Sequence, residues 1–464
     1  MARSRRLSGF PEWLPRERVV EAHIIQRLRR VFELHSFAGI ETRAVEPLDA
    51  LLAKGETSKE VYVIGRLADV GDAAAGDRGK RLGLHFDLTV PLARYVTDNA
   101  AALTFPFKRY QIQKVWRGER PQEGRFREFT QADTDVVGRD TLPFHYEVEL
   151  PLLMAEALGD LGLGHVRIAA NNRKVSEGFY RGLGLDDINE VLRWIDKLNK
   201  IGAPAVVEGL VSAGASPGQA TSCVDLASIH GDDGAVTERV ERLATSLGVE
   251  SALLSEGLGE LAALVDGARA VMPGVVTADL RIARGLDYYT GSVYETTLAG
   301  HESLGSICSG GRYDNLVGDG SGRYPGVGLS VGVSRLVSGV LGEVTASRSV
   351  PAAVWVAVVD ESERPRSNAV ARALRARGIP ADVSPNAAKF GRQIKDADAR
   401  GVPFVWFPAS ADEDDQVKDI RSGVQVSADA EMWQVPEEDR WPAVRIGRAC
   451  SEAQSGRMST RAAH

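Results

Sequence analysis

The stretch from Lys108 to Gly138, KRYQIQKVWRGERPQEGRFREFTQADTDVVG, constrains the fold more than any other part of the chain. It predicts two antiparallel strands joined by a charged loop. Side chains alternate between the faces of a strand, so Gln131, Asp133 and Asp135 share one face, Arg127 and Phe129 lead into it, and Arg117 stands where the first strand gives way to the loop. A face carrying an amide, two carboxylates and an arginine is too polar for a dry core, because each buried charge needs a partner. That face therefore meets either water or a ligand.

A chain of 464 residues is too long for one core and implies two or three domains. With 44% hydrophobic and 26% charged residues it has the composition of an ordinary globular protein. The three cysteines, Cys223, Cys308 and Cys450, form neither a disulfide framework nor a CxxC pair, and the eight histidines contain no HExxH cluster. A reducing compartment and no protein-held metal are expected. The N-terminal MARSRRLSGFPEWLP lacks the apolar run of a secretory signal, and no apolar run reaches bilayer-spanning length, so the cytoplasm is the expected location, with no membrane partner. A net charge of −7 argues against indiscriminate coating of nucleic acid while leaving room for a locally basic face.

Val20, Ile24, Leu28, Val31 and Phe32 recur at helical spacing and predict an amphipathic helix from Pro15 to about Phe37, stopped by Gly39. Residues 68–81, rich in Ala, Gly and Asp, read as a flexible loop. LGLHFDLTVPLARYV alternates like a half-exposed strand ahead of a helix. A helix follows from Phe144 to about Leu161, then the short strand VRIAA, then a helix-rich segment from Asn172 to roughly Gly274. In ADLRIARGLDYYTGSVYETT, Arg284, Asp287, Tyr288 and Tyr289 sit together between two alternating strands; a tyrosine pair ordinarily fills a core, and here the adjoining arginine and Gly291 suit a pocket wall. SICSGGRYDNLVG places Gly310 and Gly311 where a ligand can approach the backbone closely, the other reading being a tight turn. In PGVGLSVGVSRLVSGV, Arg335 is the one charge, and a lone arginine in an apolar run must find an anion or the surface. A linker at Ala346–Pro351 precedes a βαβαβ pattern with a mostly parallel sheet, and the polar, small residues from Arg445 to His464 predict a disordered tail.

Arg117, Glu119 and Arg125, followed by Phe129, Gln131 and Asp135, resemble motif 2 of the class II aminoacyl-tRNA synthetases, in the spelling of the histidyl-tRNA synthetases. DLT at Asp87–Thr89, RGLDYYTG at Arg284–Gly291 and SGGRYD at Ser309–Asp314 are similar to that family's histidine-specific stretches. Val45 stands where the family usually has a proline, and His85 where it usually has an arginine. The resemblance implies an α+β catalytic domain over 1–171 and 275–345, built on a six- to seven-stranded, mostly antiparallel sheet of the class II fold. It also implies a helical insertion at 172–274, which either grips the acceptor arm of tRNA or merely covers the sheet, and a C-terminal α/β anticodon-binding domain over 351–440, where Lys389, Arg392 and Lys395 form a basic stripe.

The implied reaction joins L-histidine to the 3′ end of tRNA(His). Its carboxylate attacks the α-phosphate of ATP, carried in with Mg²⁺, and the resulting adenylate gives its acyl group to the terminal ribose. By resemblance Arg284 and Arg117 are catalytic. Asp87, Leu88, Thr89, Arg117, Gln131, Asp135, Arg284, Tyr288 and Tyr289 bind histidine, and Arg117, Glu119, Arg125, Phe129 and Arg335 bind ATP. The helix from Pro15 and the strand after it would build a homodimer. The alternative is the regulatory subunit of ATP phosphoribosyltransferase, a relative that generally lacks the C-terminal domain and tends to lose these arginines.

Overall fold

The computed structural model describes residues 7–52, 60–66, 81–231, 235–283, 288–317, 322–409 and 413–447. The expected loop at 68–80 lies outside them. The chain divides into two compact units, Met1–Pro11 with Ile24–Gly339, and Glu12–His23 with Val340–His464.

Among the described residues, the first unit holds a nine-stranded sheet. From edge to edge its strands are Ala38–Gly39, Phe107–Trp116, Glu128–Val137, Gly326–Gly332, Cys308–Tyr313, Ser292–Leu298, Val166–Asn172, Val276–Asp279 and His230–Gly231. Its two outermost strands are only two residues long, so the body matches the size the resemblance implies. Ala38–Gly39 and Val276–Asp279 pair in parallel with Phe107–Trp116 and Val166–Asn172, and the other neighbours are antiparallel.

The predicted hairpin is the longest ribbon, with Arg109 opposite Asp135, Gln111 opposite Asp133 and Gln113 opposite Gln131. The N-terminal helix runs Pro15–Leu34 and buries all five residues of its apolar stripe. It stops before Gly39, because Ser36 takes the left-handed conformation (φ 62°) and Phe37 N–H reaches back to the Phe32 carbonyl at 3.0 Å. Phe32 packs on Tyr110 of the hairpin, ring centroids 5.9 Å apart, and the Tyr110 hydroxyl donates to Glu33 at 2.6 Å.

Among the described residues of the 172–274 segment, the elements after Asn172 are helices and one sheet-edge strand, His230–Gly231. The segment begins where Asn172 caps the helix Arg173–Gly182, accepting from Lys174 N–H at 3.0 Å. Asn172 and the Lys174 ammonium then reach Glu260 of the helix Ala252–Val271 at 2.8 and 2.6 Å, which binds the ends of the segment together.

In the second unit the sheet order is Ala381–Val383, Val354–Val356, Phe404–Phe407, Gln416–Asp419, Gln425–Ser427. The first three strands are parallel, joined by the helices Arg364–Ala376 and Phe390–Arg400, and the last two are antiparallel. The three strands of the expected βαβαβ pattern are therefore parallel throughout, and Gln416–Asp419 and Gln425–Ser427 extend the sheet antiparallel beyond it, the last because the short connection after Asp419 cannot make the crossover that parallel pairing needs. The expected linker and tail also differ. Val344–Ala346 pairs with Val444–Ile446, and buried Arg348 donates to the carbonyls of Pro351 and Arg440 at 3.2 and 3.0 Å. A strand partner and a buried guanidinium order both segments through residue 447. Residues 448–464 lie outside the description.

Candidate functional site

The centre of the large sheet carries a cleft with two lobes. A smaller lobe, about 130 Å³, is lined by Phe126, Phe129 and Gly332, and a larger one, about 330 Å³, by Asp87, Thr89, Tyr288 and Tyr289. Arg117, Glu119, Arg125, Gln131 and Arg335 line both lobes. Arg117 follows the first hairpin strand, where its Nε donates to the Phe86 carbonyl at 2.9 Å and its Nη2 to Gln131 Oε1 at 3.4 Å. Its guanidinium lies 5.2 Å from the Phe129 ring centroid and 3.9 Å from Glu119, which also holds Arg125 at 3.6 Å. Arg335, on the helix Val333–Val340, donates to the carbonyls of Gly124 and Ser306 at 3.0 and 2.5 Å. The arginines are therefore aimed before any ligand arrives. A third cavity of about 650 Å³ shares Arg125, Ser306 and Arg335 and adds Arg167, Lys200 and Arg281.

Asp87 is 3% exposed. Its Oδ1 accepts from Val90 N–H at 3.0 Å, at the start of the helix Thr89–Asn99, and its Oδ2 has no partner among the described residues. Burial pushes its carboxyl up to about 6, against the opposing pull of that backbone N–H and of Arg117. Tyr288 and Tyr289 meet edge to face at 4.8 Å, and Tyr288 meets Tyr313 at 6.2 Å. Burial raises both phenols above their ordinary value, which keeps them hydroxyl donors at neutral pH.

The structure thus brings together Asp87, Thr89, Arg117, Glu119, Arg125, Phe129, Gln131, Tyr288, Tyr289 and Arg335 of the expected residues. It does not bring Leu88 or Asp135 to the cavity surface. Leu88 is fully buried, and Asp135 accepts from Tyr313 Oη at 2.8 Å and Arg109 Nη2 at 2.6 Å, one partner on each oxygen. Arg284 and Asp287 lie outside the described residues. Among the described residues no group of three or more His, Cys, Asp or Glu is arranged to hold a metal ion.

The polar face of the hairpin differs from expectation in one respect. Asp133 and Asp135 are buried, at 0% and 2% exposure, rather than facing water or a cavity. The charge that permits this is Arg109, itself 0% exposed. Its signal was present in KRYQIQ, where Arg109, Gln111 and Gln113 alternate as the mirror of Gln131, Asp133 and Asp135. Gly328 completes the arrangement, since a Cβ there would lie 2.0 Å from Asp135 Oδ1. Gly310 and Gly311 lie in a strand rather than a turn; Gly310 lines the larger lobe, and an added Cβ would meet the Gly328 carbonyl at Gly310 and the Tyr289 ring at Gly311. Tyr313, whose ring supports the tyrosine wall, and Tyr294 and Glu295 at the larger lobe were not singled out from sequence.

A family model described as histidyl-tRNA synthetase matches residues 9–336, and one described as anticodon binding domain matches 353–427. The chain is 59% identical over 451 residues to a histidine–tRNA ligase of Bifidobacterium animalis subsp. lactis (strain AD011), covering 94% of this chain and 96% of that protein. It is 57% identical over 457 residues to one of Micrococcus luteus, covering 96% and 99%. The crystal structure of histidyl-tRNA synthetase from Nostoc sp. PCC 7120 superposes with a TM-score of 0.78 at 35% identity, over 97% of this chain and 99% of that one. A structure described as an ATP phosphoribosyltransferase regulatory subunit/histidyl-tRNA synthetase from Bacillus halodurans C shares the fold, with a TM-score of 0.68 at 20% identity over 84% of this chain and 96% of that one.

Proposed function

The chain belongs to the histidyl-tRNA synthetase family and is an ATP-dependent histidine–tRNA ligase, and on that premise we propose that the smaller lobe holds ATP and the larger lobe L-histidine. One observation carries the proposal: Arg117, Gln131 and Arg335 line both lobes, so they stand where the two substrates would meet. The histidine carboxylate is ionised at neutral pH and needs no base. The obstacle is bringing an anion against a polyanion. Arg117 and Arg284 neutralise charge developing at the α-phosphoryl group, Arg335 and Arg125 hold the outer phosphates, and Phe129 and Glu119 take the adenine by stacking and hydrogen bond. Mg²⁺ enters with ATP, ligated by phosphate oxygens.

Asp87 and Gln131 receive the α-ammonium of histidine, Thr89 lies beside them, and Tyr288 and Tyr289 wall the imidazole. A site that hydrogen-bonds a ring nitrogen rejects apolar ring analogues, whose binding would leave its polar groups unpaired. Asp135 and Leu88 support this pocket from behind. The cavity containing Arg167, Lys200 and Arg281 takes the acceptor end of tRNA(His) beside the 172–274 insertion, and the 351–440 segment reads the anticodon. A cytoplasmic homodimer completes the proposal, to be tested by sedimentation equilibrium, where a species of single-chain mass would count against it. The regulatory-subunit alternative is not favoured, given histidine–tRNA ligases at 57–59% identity over most of the chain.

The deciding experiment is histidine-dependent exchange of pyrophosphate into ATP. Good histidine binding without exchange would end the two-lobe assignment. Arg284→Ala should suppress exchange about a hundredfold, the size typical of one lost donor to a developing anion, with histidine affinity much less changed.

A further inference from the structure

Arg109 touches neither lobe of the cleft, yet it is the most deeply committed cation beneath it. Its Nη2 lies 2.6 Å from Asp135 Oδ2, 4.0 Å from Asp133 Oδ2 and 3.3 Å from the Leu88 carbonyl. Its Nε and Nη1 have no partner among the described residues. A buried guanidinium left partly unpaired costs stability compared with an apolar side chain of similar volume, so packing alone does not account for it.

The groups it grips belong to different walls of the larger lobe. Leu88 lies between Asp87 and Thr89, which line that lobe, and Asp135 accepts from Tyr313, against which Tyr288 packs at 6.2 Å. Thr89 and Tyr288 line that lobe together, closing the circuit. Gly328 leaves the space Asp135 occupies, so the neighbouring strand is shaped to the same network.

We propose that Arg109 is a positioning residue for the amino-acid substrate: by holding Asp135 and the Leu88 carbonyl together, it fixes the turn bearing Asp87 and Thr89 against the wall formed by Tyr288 and Tyr313. The inference rests on the assignment of the larger lobe to histidine. Phe129, assigned to the adenine, lines the smaller lobe and not the larger, so ATP binding depends less on the network.

Kinetics of pyrophosphate exchange in the full-length protein test it. Arg109→Met should raise the KM for histidine about thirtyfold, the range for losing charge-assisted hydrogen bonds, and leave the KM for ATP within about twofold. Arg109→Lys keeps the charge, but its shorter side chain stops short of the Nη2 position from which Asp135 and the Leu88 carbonyl are both held, so a rise of about fivefold is expected; should Arg109→Met fail to fold, the same split in Arg109→Lys decides. Equal rises in both KM values, or an unchanged histidine KM in the Arg109 variants, would each overturn the inference. A wild-type protein without exchange would overturn the histidine assignment along with it, whereas normal wild-type exchange with indifferent variants would overturn this inference alone.

Discussion

Two carboxyl groups beneath the cleft are held well above their ordinary 3.8, Asp87 at about 6 and Asp133 at about 7, chiefly because burial disfavours their charge. A carboxyl raised in the folded state stabilises it fully below the unfolded value, and that contribution is lost as pH rises through the folded value. The free protein should therefore lose stability between about pH 4 and pH 7. Asp133→Asn, which cannot ionise, should be more stable than wild type by roughly 4 kcal/mol at pH 8 and nearly equal at pH 4. Thermal melts at the two pH values check this, and equal melting at pH 8 would contradict it. Asp87 adds a kinetic prediction, since only its ionised form attracts an ammonium. The KM for histidine should climb as pH falls through about 6. Asp87→Asn should raise that KM about tenfold at pH 8 and flatten the climb, which separates Asp87 from the titration of histidine itself.

At the scale of elements, the hairpin and the strand Gly326–Gly332 beside it work as one surface. Gly328 pairs with Asp135, and a methyl group there would overlap its carboxylate. Gly328→Ala should cost about 2 kcal/mol in stability and raise the KM for histidine while sparing ATP, measured by melting and by exchange kinetics. Arg335 braces the loop between the hairpin strands through the Gly124 carbonyl. Its change to Ala should raise the KM for ATP more than that for histidine; the reverse order would argue against the assignment of the smaller lobe. The hairpin and the Pro15–Leu34 helix were legible because periods of two and 3.6 are written into contiguous residues. The partner of Asp135 was harder to find. Arg109 stands opposite it only once the strand register is known, although the alternation in KRYQIQ pointed to its face.

For the whole molecule, the second unit should matter for tRNA and not for adenylate formation. Lys389, Arg392 and Lys395 are all exposed at or on the helix Phe390–Arg400. Changing all three to Ala should lower tRNA charging about tenfold and flatten its salt dependence, leaving pyrophosphate exchange unchanged, because phosphate contacts weaken steeply with salt. Most of the fold and site was readable in the chain itself: the motifs at 87–89, 117–135, 288–289 and 335 named ten residues that the fold gathers around one cleft. Tertiary structure alone decided that Asp135 lies behind the cavity and not in it, that Arg348 is buried, and that Val444–Ile446 returns to pair with Val344–Ala346. Local sequence fixes which face a side chain shares with its neighbours, through the geometry of strand and helix. Whether that face meets water, a ligand or a buried counter-charge depends on groups brought from far along the chain, and no local pattern encodes their distance.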